Sequence, residues 1–149
     1  MSKFIYKLQN VLNLKLKMEG QAKEAFSAAR MALDEEEEKL EHLKERREGY
    51  EEEARALLRG TLKVREIESA KNAVLVMDGL IGAQQTRVIQ ANRRLEKARE
   101  QMTVAMQERK TQEILRDHAF EEFLREENRA ESKAIDELTS YTYGQKGTA

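Results

Sequence analysis

The chain has 149 residues, a formal net charge of −1 and 37% charged residues, with 5% aromatics and no Pro, Trp or Cys. That excludes disulfide scaffolds and thiolate chemistry, removes any global basic field that would draw the chain to nucleic acid, and argues against a compact globule in favour of long solvated helices. Wholesale disorder shares the high charge and low aromatic content, but not the heptad spacing described below.

The N-terminal stretch "MSKFIYKLQNVLNLKLK" has Lys scattered among its apolar residues, so it lacks the uninterrupted apolar core of a secretory signal. Apolar residues at Phe4, Leu8, Val11, Met18, Ala22, Ala25 and Ala29 follow alternating steps of four and three, with Lys15 in the vacant position. The pattern resumes at Leu33, Leu40, Leu43, Tyr50, Ala54 and Leu57. Two successive steps of four, Ala25 to Ala29 to Leu33, read as a stutter. One helix from about 2 to 59 is predicted. Phe4 and Tyr6 lie two apart on it and face different sides, so one can join the seam while the other faces out.

Residues 34 to 53 carry eleven acids and four bases, whereas residues 1 to 33 carry six bases and two acids. The acidic run reads first as a solvated helix face with charge pairs four apart, and second as an acidic docking surface. Gly60 and Thr61 supply stop and start signals, which favour a reversal at about 59 to 65; the rival is "DGLIG", with Gly79 and Gly82, where a turn would leave a much shorter second arm. A second helix then covers about 65 to 141, with a frayed tail at 142 to 149. In this register residue i faces roughly 124 minus i, so Phe4 lies near Phe120 and Leu43 near Ile81.

Shortly after the reversal comes "AVLVMDGLIG", residues 73 to 82, with seven apolar residues in ten. It is far shorter than the ~20 apolar residues a membrane span needs. A two-helix seam uses two positions in seven, so some of these side chains must face outward. The choice is between tighter local packing and an exposed patch that docks a partner. The second seam runs Ile81, Val88, Ala91, Leu95, Ala98, Met102, Ala105, then blurs at Arg109, Gln112 and Arg116. Phe120, Phe123, Ala130, Ala134, Leu138 and Tyr141 continue an apolar stripe.

The expected fold is all-α: a long antiparallel two-helix coiled-coil hairpin forming a single domain. Arms of about 55 residues would be roughly 80 Å long, and the second would overhang the first by about 20. A two-helix arrangement offers no cleft for nucleophilic chemistry, and no Gly-rich phosphate loop is present. His42 and His118 would lie far apart, so no metal site and no cofactor are expected, and the chain reads as a non-enzyme.

The two ends bear a family resemblance. "FIYKLQNVLNLKLKMEGQAKEAF" and "ERKTQEILRDHAFEEFLREENRAESKAIDEL" are similar to the flagellar export protein FliJ family. The first matches through Phe4, Tyr6, Leu8, Val11, Leu12 and Lys15. The second matches through Arg109, Lys110, Phe123, Glu131, Lys133, Asp136 and Glu137. Family members often carry aromatics just after the turn, where this chain has "NAVLVMDGLIG". The resemblance implies a coiled coil similar to the central stalk of rotary ATPases. It implies a cytoplasmic part, peripheral at the inner face of the cell membrane, of the flagellar type III export apparatus. The implied partners are the hexameric export ATPase, the cytoplasmic domain of the export gate, and export chaperones. The alternatives are an export chaperone that binds partner proteins directly and a plain coiled-coil spacer. Under the family reading the ATPase-ring candidates are Phe4, Tyr6, Arg109, Lys110, Arg116 and Phe123. The export-gate candidates are Leu43, Tyr50, Val74, Met77, Leu80 and Ile81.

Overall fold

The computed structural model describes residues 2 to 147. It contains two helices, α1 (Gln9–Leu57) and α2 (Val64–Gly147), packed against each other as an all-α hairpin, with no strand among the described residues. Two compact units can be distinguished: one takes in residues up to Gly20 and those from Val104 onward, the other Gln21–Thr103.

In the second unit, residues 58 to 63 reverse the chain. Gly60 does not adopt the left-handed conformation that ends many helices. Instead α1 tightens as it closes: Leu58 N–H donates to the Arg55 carbonyl at 3.2 Å and Arg59 N–H to that of Ala56 at 3.1 Å. Thr61 is not the cap of α2. Lys63 holds that position, its carbonyl accepting from Ile67 N–H at 3.1 Å, and Glu66 in the first turn opposes the helix dipole. The "DGLIG" segment is continuous helix. A Cβ at Gly79 or Gly82 would meet nothing within 4 Å.

The seam of this unit is regular. On α1 it runs Ala22, Phe26, Ala29, Leu33, Glu36, Leu40, Leu43, Arg47, Tyr50, Ala54, Leu57, all at least half-buried. On α2 it runs Ile67, Ala70, Val74, Met77, Ile81, Gln84, Val88, Ala91, Leu95, Ala98, Met102. Steps of three and four alternate throughout, so the expected stutter at Ala25 is absent: Ala25 is exposed and Phe26 takes the seam, with the Arg99 guanidinium 5.7 Å from its ring centre. Two seam positions on α1 are charged, and each finds a polar partner. Gln84 donates to the Glu36 carbonyl at 2.9 Å and to its carboxylate. Arg47 Nε donates to Asp78 at 2.5 Å and its Nη1 to Glu51 at 3.1 Å. A buried amide or charge left without such a partner would be costly, which is why polar seam residues come in pairs.

The first unit follows the same logic with a different N-terminal boundary. α1 begins at Gln9, not near residue 2, and residues 2 to 6 are non-helical. Aromatic docking competes with helix continuation here. Phe4 packs edge-on to Phe120, centroids 5.1 Å apart, and against Phe123 at 5.4 Å. Lys15 holds the expected seam position and Val11 is half-buried, but Leu12 and Glu19 are the buried residues here, and the expected Leu8 and Met18 are 46% and 40% exposed.

On α2 the helix passes through the predicted tail to Gly147. Nothing breaks it: there is no Pro, Thr142 Oγ1 donates to the Leu138 carbonyl at 2.9 Å, and Gln145 donates to the Tyr141 hydroxyl at 2.7 Å. The rest of the tail, residues 148 and 149, lies outside the described residues. Glu127 is the last half-buried position, and residues 128 to 145 are exposed on every side.

Candidate interaction sites

The first unit gathers most of the residues expected to meet an ATPase ring. Phe4, Phe120 and Phe123 form an aromatic cluster, and Arg116 is tied to it twice: its guanidinium lies 5.7 Å from the Phe4 ring centre, and its Nε donates to Gln9 at 3.2 Å. The first contact is a cation–π pair, the second pins α1 at its first residue. Tyr6 is half-buried as well, because a non-helical segment need not send Phe4 and Tyr6 to different faces; its hydroxyl is buried with no hydrogen-bond partner among the described residues. Tyr6 and Phe123 line an open groove of about 730 Å3 with Phe4, Ile5, Leu8 and Glu122.

Arg109 does not blur the seam; it occupies it. Its side chain is 18% exposed and donates through Nε to Glu19, itself 9% exposed, at 2.5 Å, and through Nη1 to Glu113 at 2.9 Å. These acceptors, Glu19 first, hold the guanidinium above its ordinary pKa. One turn earlier on α1, Lys15 donates to Glu108 at 2.9 Å. Lys110 next to Arg109 is exposed. Of the six ring candidates, the structure brings together Phe4, Tyr6, Arg116 and Phe123, commits Arg109 to holding the two helices together, and leaves Lys110 apart on the surface.

The gate candidates divide differently. Met77 is 2% exposed, which makes it a core residue of the second unit. Leu43, Tyr50, Val74 and Ile81 are half-buried seam residues, and only Leu80, 45% exposed, faces out. The outward surface of "AVLVMDGLIG" is therefore Leu75, Val76 and Leu80. Leu75 and Val76 were missing from the candidate set because a single-helix pattern shows which residues exceed the seam's needs, but not which rotation wins. Leu75 contributes to a groove of about 410 Å3 with Ala54, Leu58, Val74, Glu51, Arg55 and Lys71.

Each histidine lies near carboxylates of its own helix: His42 is 3.8 Å from Glu38 and 3.7 Å from Glu45, and His118 is 4.0 Å from Glu121. Among the described residues no group of His, Cys, Asp and Glu is arranged to hold a metal ion, and no helix is long and apolar enough to cross a membrane.

The model of the flagellar FliJ protein family matches residues 3–148, almost the whole chain. The chain belongs to the FliJ family. That membership makes it a component of a type III export apparatus. A solved structure described as a YscO homolog from Chlamydia trachomatis has a similar fold, with a TM-score of 0.69, 21% identity and 99% of each chain covered. No curated protein matches the chain.

Proposed function

We propose that this FliJ-family chain is a non-enzymatic adaptor of the flagellar type III export apparatus, coupling the hexameric export ATPase to the cytoplasmic domain of the export gate and assisting export chaperones. The observation that carries the reading is the exposed apolar stretch of α2 from 128 to 143. From 128 to 143 every residue of the helix is exposed, and among them are Ile135, Leu138, Tyr141 and Tyr143, each more than half exposed. A helix of this length is marginal in water without a packed face, and exposed apolar side chains in sequence along one helix mark a site for a partner. The aromatic cluster of Phe4, Phe120 and Phe123 lies in the same unit, next to this extension in sequence. An exposed helical end beside an aromatic cluster suits an adaptor that enters a ring.

The experiment is a pull-down with the export ATPase followed by an ATPase assay. The full chain should bind and stimulate turnover, and a chain ending at Glu127 should lose both. Binding to chaperones or unfolded substrates with no effect on the ATPase would favour the chaperone reading instead. Stimulation that survives the truncation would reject the assignment of the α2 end.

A further inference from the structure

Residues 2 to 20 meet α2 across a seam unlike that of the second unit. Among the described residues, the first unit buries the apolar side chains of Leu12, 5% exposed, and Ala105, 8% exposed. The second unit buries Ala70, Met77, Ala91, Leu95 and Ala98. Apolar stabilisation scales with the area taken from water. The first unit therefore draws less on it and more on polar contacts between its helices. These are Lys15 with Glu108 at 2.9 Å, Glu19 with Arg109 at 2.5 Å, and Gln9 with Arg116 at 3.2 Å. The Lys15 and Glu108 side chains are 25% and 43% exposed, and ion pairs open to water return little net stability.

The same unit carries an internal cost. The Tyr6 hydroxyl and the Gln112 side-chain carbonyl are buried with no hydrogen-bond partner among the described residues. Separation of residues 2 to 20 from α2 would hydrate both, so their desolvation weighs against the closed form. At one end the segment is held by Phe4, packed on Phe120 and Phe123. At the other it reaches Gly20, an exposed glycine inside α1, where fixing the backbone as helix costs more entropy than at a residue with a side chain.

We propose that residues 2 to 20 form a clasp that opens from α2 as one cooperative unit while the seam of the second unit stays closed. Phe4 is its latch. The closed form covers Ala105, Gln112 and the sides of Phe120 and Phe123 that face Phe4, and the open form presents them to solvent. Any ligand with a higher affinity for the open form shifts the population towards it. The device follows from the composition of one seam, and it stands whether or not the adaptor reading does.

Native-state hydrogen exchange of the full chain, read amide by amide by NMR, tests the clasp. Amides of residues 13 to 20 should share one opening equilibrium and exchange at least about a hundredfold faster than those of residues 29 to 43. Phe4→Ala should speed exchange across the whole of 13 to 20 by about tenfold or more and leave 29 to 43 unchanged. Tyr6→Phe removes the unpartnered hydroxyl and should slow exchange at 13 to 20 by about fivefold or more. Both substitutions precede α1, so helicity in circular dichroism should hold; should it fall in Phe4→Ala, the unsubstituted chain and Tyr6→Phe carry the readout. A gradient of protection that declines residue by residue towards Gln9, with Phe4→Ala moving only the nearest amides, is ordinary end fraying and overturns the proposal. So does protection at 13 to 20 equal to that at 29 to 43, or a Tyr6→Phe variant whose exchange there is unchanged or faster.

Discussion

Glu19 of α1 and Arg109 of α2 meet at 2.5 Å across seam positions that a coiled coil ordinarily fills with apolar side chains. Their side chains are only 9% and 18% exposed, so the contact is largely desolvated. Removing one partner takes from the other its short contact across the seam, whereas replacing both with apolar residues removes the desolvation cost along with the attraction. Glu19→Ala and Arg109→Ala should therefore each lower the thermal midpoint by more than about 2 °C in circular dichroism. The double change to Leu at both positions should recover most or all of that loss. Because the arginine's pKa is raised, its share of the stability is complete below its unfolded value and disappears only above it. Titration from neutral to moderately alkaline pH should leave this contribution intact. A double Leu variant no better than either Ala variant would show that the pair is not compensated by packing.

Met77 and Leu80 make the sharpest contrast within the apolar stretch. Met77→Ala should cost about 2 kcal/mol, the lower end for a buried methionine, because a two-helix seam can relax around the gap. Met77→Glu should reduce helicity outright. Leu80→Glu places its charge in water and should leave the melt nearly unchanged. Chemical denaturation of the three variants checks the order; equal losses at 77 and 80 would contradict the rotation of α2 described above.

Gly79 and Gly82 sit in an exposed helix interior with open space where a Cβ would go. Each change to Ala should stabilise by about 1 kcal/mol from helix propensity alone. If either substitution also weakens binding of a partner, the glycine is kept for close backbone approach at the surface. Melts and binding assays run together separate the two effects.

Phe4 pins the non-helical N-terminal segment against α2, and the chain contains no Trp. Phe4→Trp therefore creates a unique fluorophore whose emission should be blue-shifted in the folded protein and red-shift on Phe120→Ala. Arg116→Ala should destabilise by about 0.5–1 kcal/mol through the lost cation–π contact. Emission typical of free tryptophan in the starting variant would mean that the segment is undocked in solution.

Much of this was legible before any coordinates. The relation between residue i and 124 minus i holds for Phe4 with Phe120, and Ile81, Val88, Ala91, Leu95, Ala98, Met102 and Ala105 are all at least half-buried. Periodicity finds such positions because each is apolar in its own right. It misplaced the first seam because Leu8, Val11, Leu12 and Leu14 offer apolar residues to more than one helix rotation. The choice is made by Lys15 and Glu19, whose partners Glu108 and Arg109 are about 90 residues away. A polar seam residue is recognisable only together with its partner, and the helix start at Gln9 reflects a tertiary aromatic contact that no local propensity encodes. The same limit hid Leu58, Leu75 and Lys71, which become one surface only when the two helices are aligned.

The polar seam pairs also decide how the hairpin can fail. An apolar seam is nearly periodic, so one helix could shift along the other by a heptad and find similar surroundings. Here such a shift would set Arg47 against Lys71 and Glu36 against Met77 in one direction, or Glu36 against Ala91 in the other. In the unit with the chain ends it would turn Glu19 toward Met102 or Arg116 and Lys15 toward Gln101 or Leu115. Only one alignment satisfies all four charged seam residues of α1, so strain along the helices is met by unzipping and not by sliding. Within each unit, a seam that cannot creep keeps its facing side chains in one register until it melts.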